Sequence, residues 1–369
     1  MKKVALGLAL LGILGAVPPL QPARADETPQ YVCPPCDMDC DARVFDKPGR
    51  CPVCGAALVV KSAAADTRPA AAILIFDGVQ IIDYTGPYEV LGQGGYRVFT
   101  VAEEKHPLRT AMGMTVVPEY TFADAPPAEI LVVPGGNVDA ANRSAATLGW
   151  VKRRHDESRQ TMSVCNGAFI LAKAGLLDGL SATTFYGMID ELRAEAPKTR
   201  VINDQRYVDN GRIITTAGLS SGIDGALHII EKRRGHGAAQ ATALHMEYDW
   251  HPDSGWARAA LADRLIPGVD LGEGSTLKVL RTEGDRRRWN IAVEVQSPLG
   301  AQGILEKVDA ALAGAQWTRR KSGPGAGATE SRWKKSGPDG AEWNGLLTLQ
   351  ADPSRAERYT LAMSIDRKG

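Results

Sequence analysis

Residues 161–171, TMSVCNGAFIL, are the stretch that decides the fold. A β-prone run ends abruptly at Cys165, and Asn166, Gly167 and Ala168 lead directly into a helical pattern. This order is typical of an elbow in which a strand, a sharp turn and a helix present one nucleophilic side chain. We expect the turn to expose the sulfur and the positive end of the helix to favour its thiolate form.

The chain around this elbow alternates between short apolar runs and helical patterns. We predict strands at residues 71–76, 97–101, 130–133, 161–164 and 212–216. We predict helices at residues 86–91, 145–160, 168–174, 187–196 and 221–233. Strands that alternate with helices predict an α/β domain, here residues 69–267, with a doubly wound parallel sheet covered on both faces.

Composition sets limits on size and partners. The 369 residues are enough for two or more domains, and the formal net charge is +0. Because there is no excess of basic residues, the sequence offers no electrostatic footprint for nucleic acid. We therefore expect a small-molecule substrate as the main partner.

The N-terminus has the pattern of a secretion signal over residues 1–25. Lys2 and Lys3 precede an apolar stretch, and Ala23-Arg24-Ala25 fits a small-residue cleavage site. No later run of 18 apolar residues follows, so we expect no membrane span after cleavage. The predicted location is the bacterial periplasm.

Residues 31–60 form a Cys-rich module. Its pairs Cys33-x2-Cys36 and Cys51-x2-Cys54 have the spacing of two opposed knuckles that hold a tetrahedral metal ion with four thiolates. Metal binding would supply most of the stability of so small a unit. Cys40 is a surplus thiol, and it is a fifth candidate ligand, an exchange partner or a buried small residue. A pair of disulfides in an oxidising compartment is the alternative.

The module resembles the heavy-metal-binding modules appended to copper and heavy-metal efflux proteins, through YVCP at residues 31–34 and DKPGRCPVCGAAL at residues 46–58. Those modules commonly have His where Cys36 stands and Met where Ala56 stands. The resemblance therefore implies an all-thiolate, zinc-ribbon-like site for Zn²⁺ or Cu⁺.

Two further segments of the α/β region lie after the ends of predicted strands. Asp83 follows the first strand, and Gly135-Gly136 follows the strand at 130–133. Together with Cys165 they should meet at the carboxyl edge of the sheet, where ligands bind. We expect the N–H groups of Gly136 and Asn166 to stabilise a developing negative charge, and Asp83 to move a proton.

These segments resemble the ThiJ/PfpI superfamily, whose fold is like that of the class I glutamine amidotransferases. The marks are DYTGPYEV at residues 83–90, VPGG at 133–136, SVCNGA at 163–168, AGLLDG at 174–179, TAG at 216–218, SGID at 221–224 and MEYD at 246–249. The isonitrile hydratases and the amidotransferase-like domains of AraC-type regulators form the most similar branch. The resemblance implies that Cys165 is the nucleophile and that Asp83 contacts its sulfur, with Asn166 where the hydratases have Thr. Relatives are often dimers, which implies a homodimer.

One position departs from many relatives, which have a His about twenty residues after the nucleophile. Here that position is Phe185, which cannot accept a proton. We interpret His228 as structural and His155 as solvent-facing, and leave His245 and His251 as remote candidates. The hydratase branch is thought to work with Cys and Asp alone, so the loss agrees with the Asp83 motif.

Residues 274–369 predict a small α+β domain. Strands are predicted at 275–280, 289–296, 345–350 and 359–365, with a helix at 303–313. The segment has no Cys or His, so it offers no catalytic constellation, and we expect its four tryptophans to form a core: Trp289, Trp317, Trp333 and Trp343.

The sequence thus supports two hypotheses of different class. The first is a cysteine-dependent hydratase or hydrolase for a small electrophile, such as an isonitrile, with a metal-binding module. The second is a non-catalytic periplasmic protein that binds or senses a metal or a ligand. The absent helix-turn-helix pair and the predicted export argue against a transcription factor.

Overall fold

The computed structural model describes residues 30–33, 39–40, 43–60, 68–253, 256–320, 330–337 and 339–368. The chain divides into two units, Met1–Thr67 and Arg68–Gly369. The predicted signal segment lies outside the described ranges, so it stays a prediction. Within the described ranges, no helix has the length and apolar character needed to cross a membrane.

The first unit contains a small antiparallel sheet. Its strands are β1 (Tyr31–Val32), β2 (Val44–Phe45) and β3 (Val59–Val60), in the order β2-β1-β3. Among the described residues of this unit, those that are buried are cysteines, and Phe45 and Leu58 pack beside them only partly buried. With so little apolar surface buried, the thiols themselves are the core, as expected for a metal-stabilised module.

The second unit begins with an α/β domain built on a seven-stranded sheet of order β13-β14-β10-β9-β4-β5-β8. Six strands run parallel, and β13 pairs antiparallel with β14 at one edge. The short pairs β6–β7 and β11–β12 lie outside this sheet. The strands are β4 (Ala70–Leu74), β5 (Arg97–Ala102), β6 (Leu108–Arg109), β7 (Thr115–Val116), β8 (Tyr120–Thr121), β9 (Ile130–Val133), β10 (Gln160–Ser163), β11 (Ser181–Ala182), β12 (Arg200–Val201), β13 (Tyr207–Asp209) and β14 (Ile213–Thr216).

Helices cover both faces of this sheet, which confirms the doubly wound prediction. One core packs residues of α1, α6 and α7 against the sheet, and the other packs residues of α2 to α5. The helices are α1 (Ile81–Gln93), α2 (Asp139–Arg143), α3 (Ala145–Glu157), α4 (Gly167–Lys173), α5 (Ile189–Glu195), α6 (Ser221–Arg234) and α7 (His236–His245).

Three helices differ from the prediction, and one of them, the short α2, was not predicted at all. Helix α1 begins at Ile81 rather than at Gly86, so Asp83 lies in its first turn and Pro87 lies inside it. Proline favours the first turn of a helix, which is why a start at Gly86 fits the sequence pattern around Pro87. Helix α7 was not predicted, since its alanine-rich sequence has no clear apolar periodicity.

The C-terminal domain is a six-stranded antiparallel sheet of order β15-β16-β20-β19-β18-β17. One face packs against the apolar side of α8, formed by Ile304, Val308 and Leu312, and all four tryptophans are buried as predicted. The elements are β15 (Thr276–Gly284), β16 (Arg288–Gln296), α8 (Gly300–Gly314), β17 (Thr318–Arg319), β18 (Glu330–Ser336), β19 (Glu342–Ala351) and β20 (Arg358–Arg367). The strands β17 and β18 had not been predicted.

The segment between the two domains of this unit contains two 3₁₀ helices, Arg258–Ala260 and Ala262–Leu265. We predicted that the α/β domain extends to residue 267. Leu261 and Ala262 instead pack in the core of the C-terminal domain. Their apolar side chains therefore draw the end of the predicted α/β segment into the second core.

Candidate active site

The predicted elbow is present between β10 and α4. Cys165 adopts φ +57°, a left-handed conformation that is uncommon for a non-glycine residue. Its N–H donates to the carbonyl of Ala217 at 3.2 Å, and the Thr184 hydroxyl donates to its carbonyl at 2.9 Å. Such a conformation persists where the surroundings determine it, and it is frequent at functional sites. The segments that follow β14 and β11 thus hold the turn that carries the sulfur.

Asp83 lies beside this turn and is fully buried. Its two carboxylate oxygens accept N–H bonds from Gly135 and Leu219, each at 3.2 Å, and the carboxylate also hydrogen-bonds to the Cys165 side chain. Burial raises the pKa of Asp83 to about 6, although these hydrogen bonds act in the opposite direction. The structure therefore brings together the acid and the thiol that the sequence predicted.

Cys165 is only 8 % exposed, so the prediction that the turn exposes the sulfur was wrong. Burial first, and then the negative charge of Asp83, raise the pKa of the Cys165 thiol, while the N–H of Asn166 lowers it. The expected thiolate was therefore wrong for the resting site, because burial outweighs the positive end of a helix of only seven residues. At neutral pH the pair consists of a carboxylate and a thiol that hold one proton between them.

Asn166 and Gly136 lie next to this pair and bind each other. The Gly136 N–H donates to Asn166 Oδ1, and Asn166 Nδ2 donates to the Gly136 carbonyl, both at 2.8 Å. Gly136 has φ +132°, and a Cβ there would lie 2.2 Å from the Gly78 carbonyl oxygen. The N–H of Gly136 is thus occupied and does not serve as the anion donor we predicted. The backbone N–H of Asn166 remains directed at the sulfur.

Phe185 and Gly218 form the wall beside the sulfur. A Cβ on Gly218 would lie 2.5 Å from Phe185 Cδ2 and 3.3 Å from Cys165 Sγ, so only glycine fits between them. The sequence marked Gly218 through the family pattern but gave no sign of this contact. The Leu219 N–H bond to Asp83 was also missed, and Leu219 itself has φ +57°.

The histidines do not join this site. His155 was predicted to face solvent, but it is buried, with Nδ1 2.9 Å from Thr161 Oγ1, because α3 turns this side toward the sheet. His228 lies 3.0 Å from Asp209 in a surface cluster, which agrees with a structural role. His245 and His251 are exposed. Among the described residues, the partners of Asp83 and Cys165 include no His side chain.

The first unit holds a cluster of thiols from Cys33, Cys40, Cys51 and Cys54. Their four sulfur atoms all lie within 4.8 Å of one another, and the Cys33 and Cys54 sulfurs are 3.2 Å apart as free thiols. Zinc–thiolate bonds of about 2.3 Å in a tetrahedron place sulfurs at similar separations. The donor set therefore fits a soft or borderline metal ion.

One described member of this cluster lies outside the predicted ligand set of Cys33, Cys36, Cys51 and Cys54. Cys40, which the sequence left as a surplus thiol, lies among the four sulfurs. Cys36 lies outside the described residues. The pKa of Cys54 falls to about 6, first because the N–H of Ala56 bonds to its sulfur and then because of the neighbouring thiols. A thiol that ionises this easily is a ready metal ligand.

Comparisons with known proteins match both the α/β domain and the Cys-rich module. Residues 69–232 match the DJ-1/PfpI family, and residues 30–61 match the heavy metal binding domain. The isonitrile hydratase of Pseudomonas putida is 34% identical over 212 residues, which are 54% of this chain and 90% of the hydratase. The chain therefore belongs to the DJ-1/PfpI family, as the sequence marks predicted.

Two further similarities cover about half of the chain each. The HTH-type transcriptional regulator GbdR of Pseudomonas aeruginosa is 22% identical over 183 residues, which are 48% of this chain and 50% of the regulator. A ThiJ/PfpI family protein from Pseudomonas syringae has a solved structure that aligns with TM-score 0.47 and 30% identity. That alignment covers 50% of this chain and 77% of the other.

Proposed function

We propose that the chain is a cysteine-dependent hydratase or hydrolase that acts on a small electrophilic molecule, with an isonitrile as the substrate class to test first. The observation that carries the proposal is the buried pair of Asp83 and Cys165 at the elbow. The similarity to a hydratase over nine tenths of that enzyme's length supports the choice of substrate.

The pair can start the reaction because the Asp83 carboxylate can accept the proton of the Cys165 thiol. Asp83, with a pKa of about 6, is a carboxylate at neutral pH and can accept the thiol proton as the sulfur attacks. Asp83 then delivers this proton to the terminal carbon of the isonitrile while Cys165 Sγ bonds to the same carbon, which yields an enzyme-bound thioimidate. The N–H of Asn166 stabilises the sulfur as its negative charge develops.

Water completes the cycle. Its oxygen bonds to the thioimidate carbon, the nitrogen takes up a proton, and the carbon–sulfur bond breaks to return the Cys165 thiol. The sum is addition of one water to the isonitrile, which gives an N-substituted formamide. Asn166 and Gly136 contribute by position, since their paired hydrogen bonds hold the glycine turn against the elbow.

We propose in addition that the first unit holds Zn²⁺ or Cu⁺ on Cys33, Cys40, Cys51 and Cys54. The ion would supply binding free energy that stabilises this module. The charged, apolar and small-residue order of residues 1–25 supports export to the periplasm. A mature protein that begins at Asp26 after expression in a bacterium would test the cleavage.

The direct test is formamide production from an aliphatic isonitrile by the purified full chain. We expect turnover by the wild type and none by Cys165→Ala, with the variant still folded by circular dichroism. Asp209→Asn, at a residue that binds His228 and Lys232 away from the pair, should keep turnover. Retained turnover in Cys165→Ala would contradict the mechanism.

A second function has one observation in its favour. Phe185 packs against Gly218 beside the sulfur, which narrows the approach to a nucleophile that is already buried. An enclosed thiol of this kind suits a non-catalytic protein that binds or senses a ligand through it. Intact-mass spectrometry separates the two functions, because a sensor would form a lasting adduct on Cys165 without releasing product.

A further inference from the structure

A cleft of about 520 Å³ lies within the second unit, between the α/β domain and the C-terminal domain. Its walls come from the start of α5, the segment around residue 264, the end of α8 and strand β18. Neither Cys165 nor Asp83 lines it, so it is separate from the candidate active site. The lining residues are Tyr186, Ile189, Asp190, Arg193, Asn203, Ala259, Arg264, Leu265, Pro267, Gly314, Ala315, Gln316 and Lys335.

Positive charge dominates this cleft. Arg193, Arg264 and Lys335 line it from three separate elements, and the only acidic lining residue is Asp190. Asp190 bonds to Arg193 at 2.5 Å, so one of the three cations is neutralised inside the cleft. Two positive charges remain in excess.

The two remaining cations, Arg264 and Lys335, form hydrogen bonds with neutral partners. Arg264 Nη1 donates to the carbonyl of Ala259 at 2.5 Å, and Lys335 Nζ donates to the carbonyl of Ala315. In the part of the chain that the structure describes, neither forms an ion pair with a carboxylate. Burial lowers the pKa of Lys335, as expected for a cation without a charged partner. Both retain N–H donors beyond these single bonds.

Such an arrangement is complementary to an anion. A carboxylate or phosphate group would accept the remaining N–H bonds, and its charge would offset the desolvation of Lys335. The cleft is also larger than a single ion requires and has Tyr186 and Leu265 on its walls, so it can take an organic body. We infer that this cleft is a second binding site, for a small organic dianion.

The position of Tyr186 connects this site to the active site. The Tyr186 ring centre lies 4.5 Å from that of Phe185, and Phe185 borders Gly218 beside the Cys165 sulfur. Arg258 also stacks on Tyr186, 4.5 Å from its centre, while it pairs with Asp263. A dianion in the cleft therefore contacts a residue that packs against the wall of the nucleophile. The inference does not depend on the reaction proposed above.

The test is calorimetric titration of the full chain at low salt, with succinate in one arm and inorganic phosphate in the other. We expect one saturable site for at least one anion, with affinity reduced about tenfold or more in Lys335→Met and in Arg264→Met. Lys334→Met is the matched control. Lys334 is the adjacent residue on β18 and faces the opposite, exposed side, so its removal should leave the affinity unchanged.

The two anions distinguish a dicarboxylate site from a phosphate site. Binding should persist in Cys165→Ala, which keeps this test separate from that of the enzymatic proposal. Because Arg264 is exposed, Arg264→Met keeps the test valid if Lys335→Met fails to fold. No saturable binding of either anion to the folded wild type, or an equal loss in Lys334→Met, would overturn the inference.

Discussion

The carboxylate of Asp83 binds the thiol of Cys165 within a buried site, although the two residues come from α1 and from the elbow after β10. Each changes the other's proton affinity, because the charge of Asp83 opposes ionisation of the sulfur. In the resting site the negative charge of the pair therefore lies on the Asp83 carboxylate. It moves to the sulfur only when the thiol proton is transferred as a substrate reacts. We therefore expect the activity to depend on whether Asp83 is ionised.

The first prediction is a pH dependence set by Asp83. The carboxylate form is the base, and burial raises its pKa to about 6, so it is protonated and inactive below that pH. We expect kcat/KM for an isonitrile to rise with pH through an apparent pKa near 6 and then level off. The kcat/KM of Asp83→Asn, which cannot accept the proton, should be lower by at least about a hundredfold.

The control for this prediction is Asp209→Asn. Asp209 binds His228 and Lys232 in a surface cluster and contacts neither residue of the pair. This variant should keep the wild-type profile. An unchanged profile in Asp83→Asn would instead show that another group is the base.

The second prediction concerns the bonds between Asn166 and Gly136. Asn166→Ala removes two hydrogen bonds of 2.8 Å and leaves the N–H and carbonyl of Gly136 without these partners. Since each net bond contributes about 1 kcal/mol, we expect about 2 kcal/mol lower stability in urea denaturation. The kcat should fall as the glycine turn loosens, while KM changes little.

Asn166→Asp is the informative partner variant for this second prediction. It keeps an acceptor for the Gly136 N–H but places a carboxylate oxygen against the Gly136 carbonyl and a charge at a buried position, so its stability should fall at least as far as that of Asn166→Ala. Equal stability of all three proteins would show that these bonds do not hold the turn.

The parts of the site that the sequence predicted are those that depend on strand order. Cys165, Asp83 and the glycine pair were placed together because parallel strands end at one edge of a sheet. The bond from Asn166 to Gly136 depends on a side-chain conformation, which no sequence pattern specifies. The same holds for Cys40, whose sulfur lies in the cluster although its position falls outside the two Cys-x2-Cys pairs.

The third prediction tests the contact between Gly218 and Phe185. In Gly218→Ala the new Cβ would lie 2.5 Å from Phe185 Cδ2, so the ring must move. We expect a loss of about 1–3 kcal/mol in stability and an altered rate of Cys165 alkylation by iodoacetamide. Adding Phe185→Leu should restore part of the stability, because the smaller side chain gives room.

Gly149→Ala provides the comparison for this third prediction. Gly149 lies inside α3, where a Cβ would meet only Arg153 at an ordinary 3.5 Å, so alanine should be neutral or stabilising there. If Gly218→Ala behaves like Gly149→Ala, then Phe185 does not pack at the wall as the structure describes.

The last prediction concerns the thiol cluster of the first unit. Four sulfurs within 4.8 Å of one another provide a complete tetrahedral set, so the protein purified without oxygen should carry about one Zn²⁺ or Cu⁺ per chain. Elemental analysis measures this directly. Cys40→Ser should abolish tight binding, because Cys40 supplies one of the four clustered sulfurs. Tight binding that persists in Cys40→Ser but is lost in Cys36→Ser would restore the ligand set that knuckle spacing alone predicts. Disulfides mapped among these cysteines in the native protein would contradict the metal site itself.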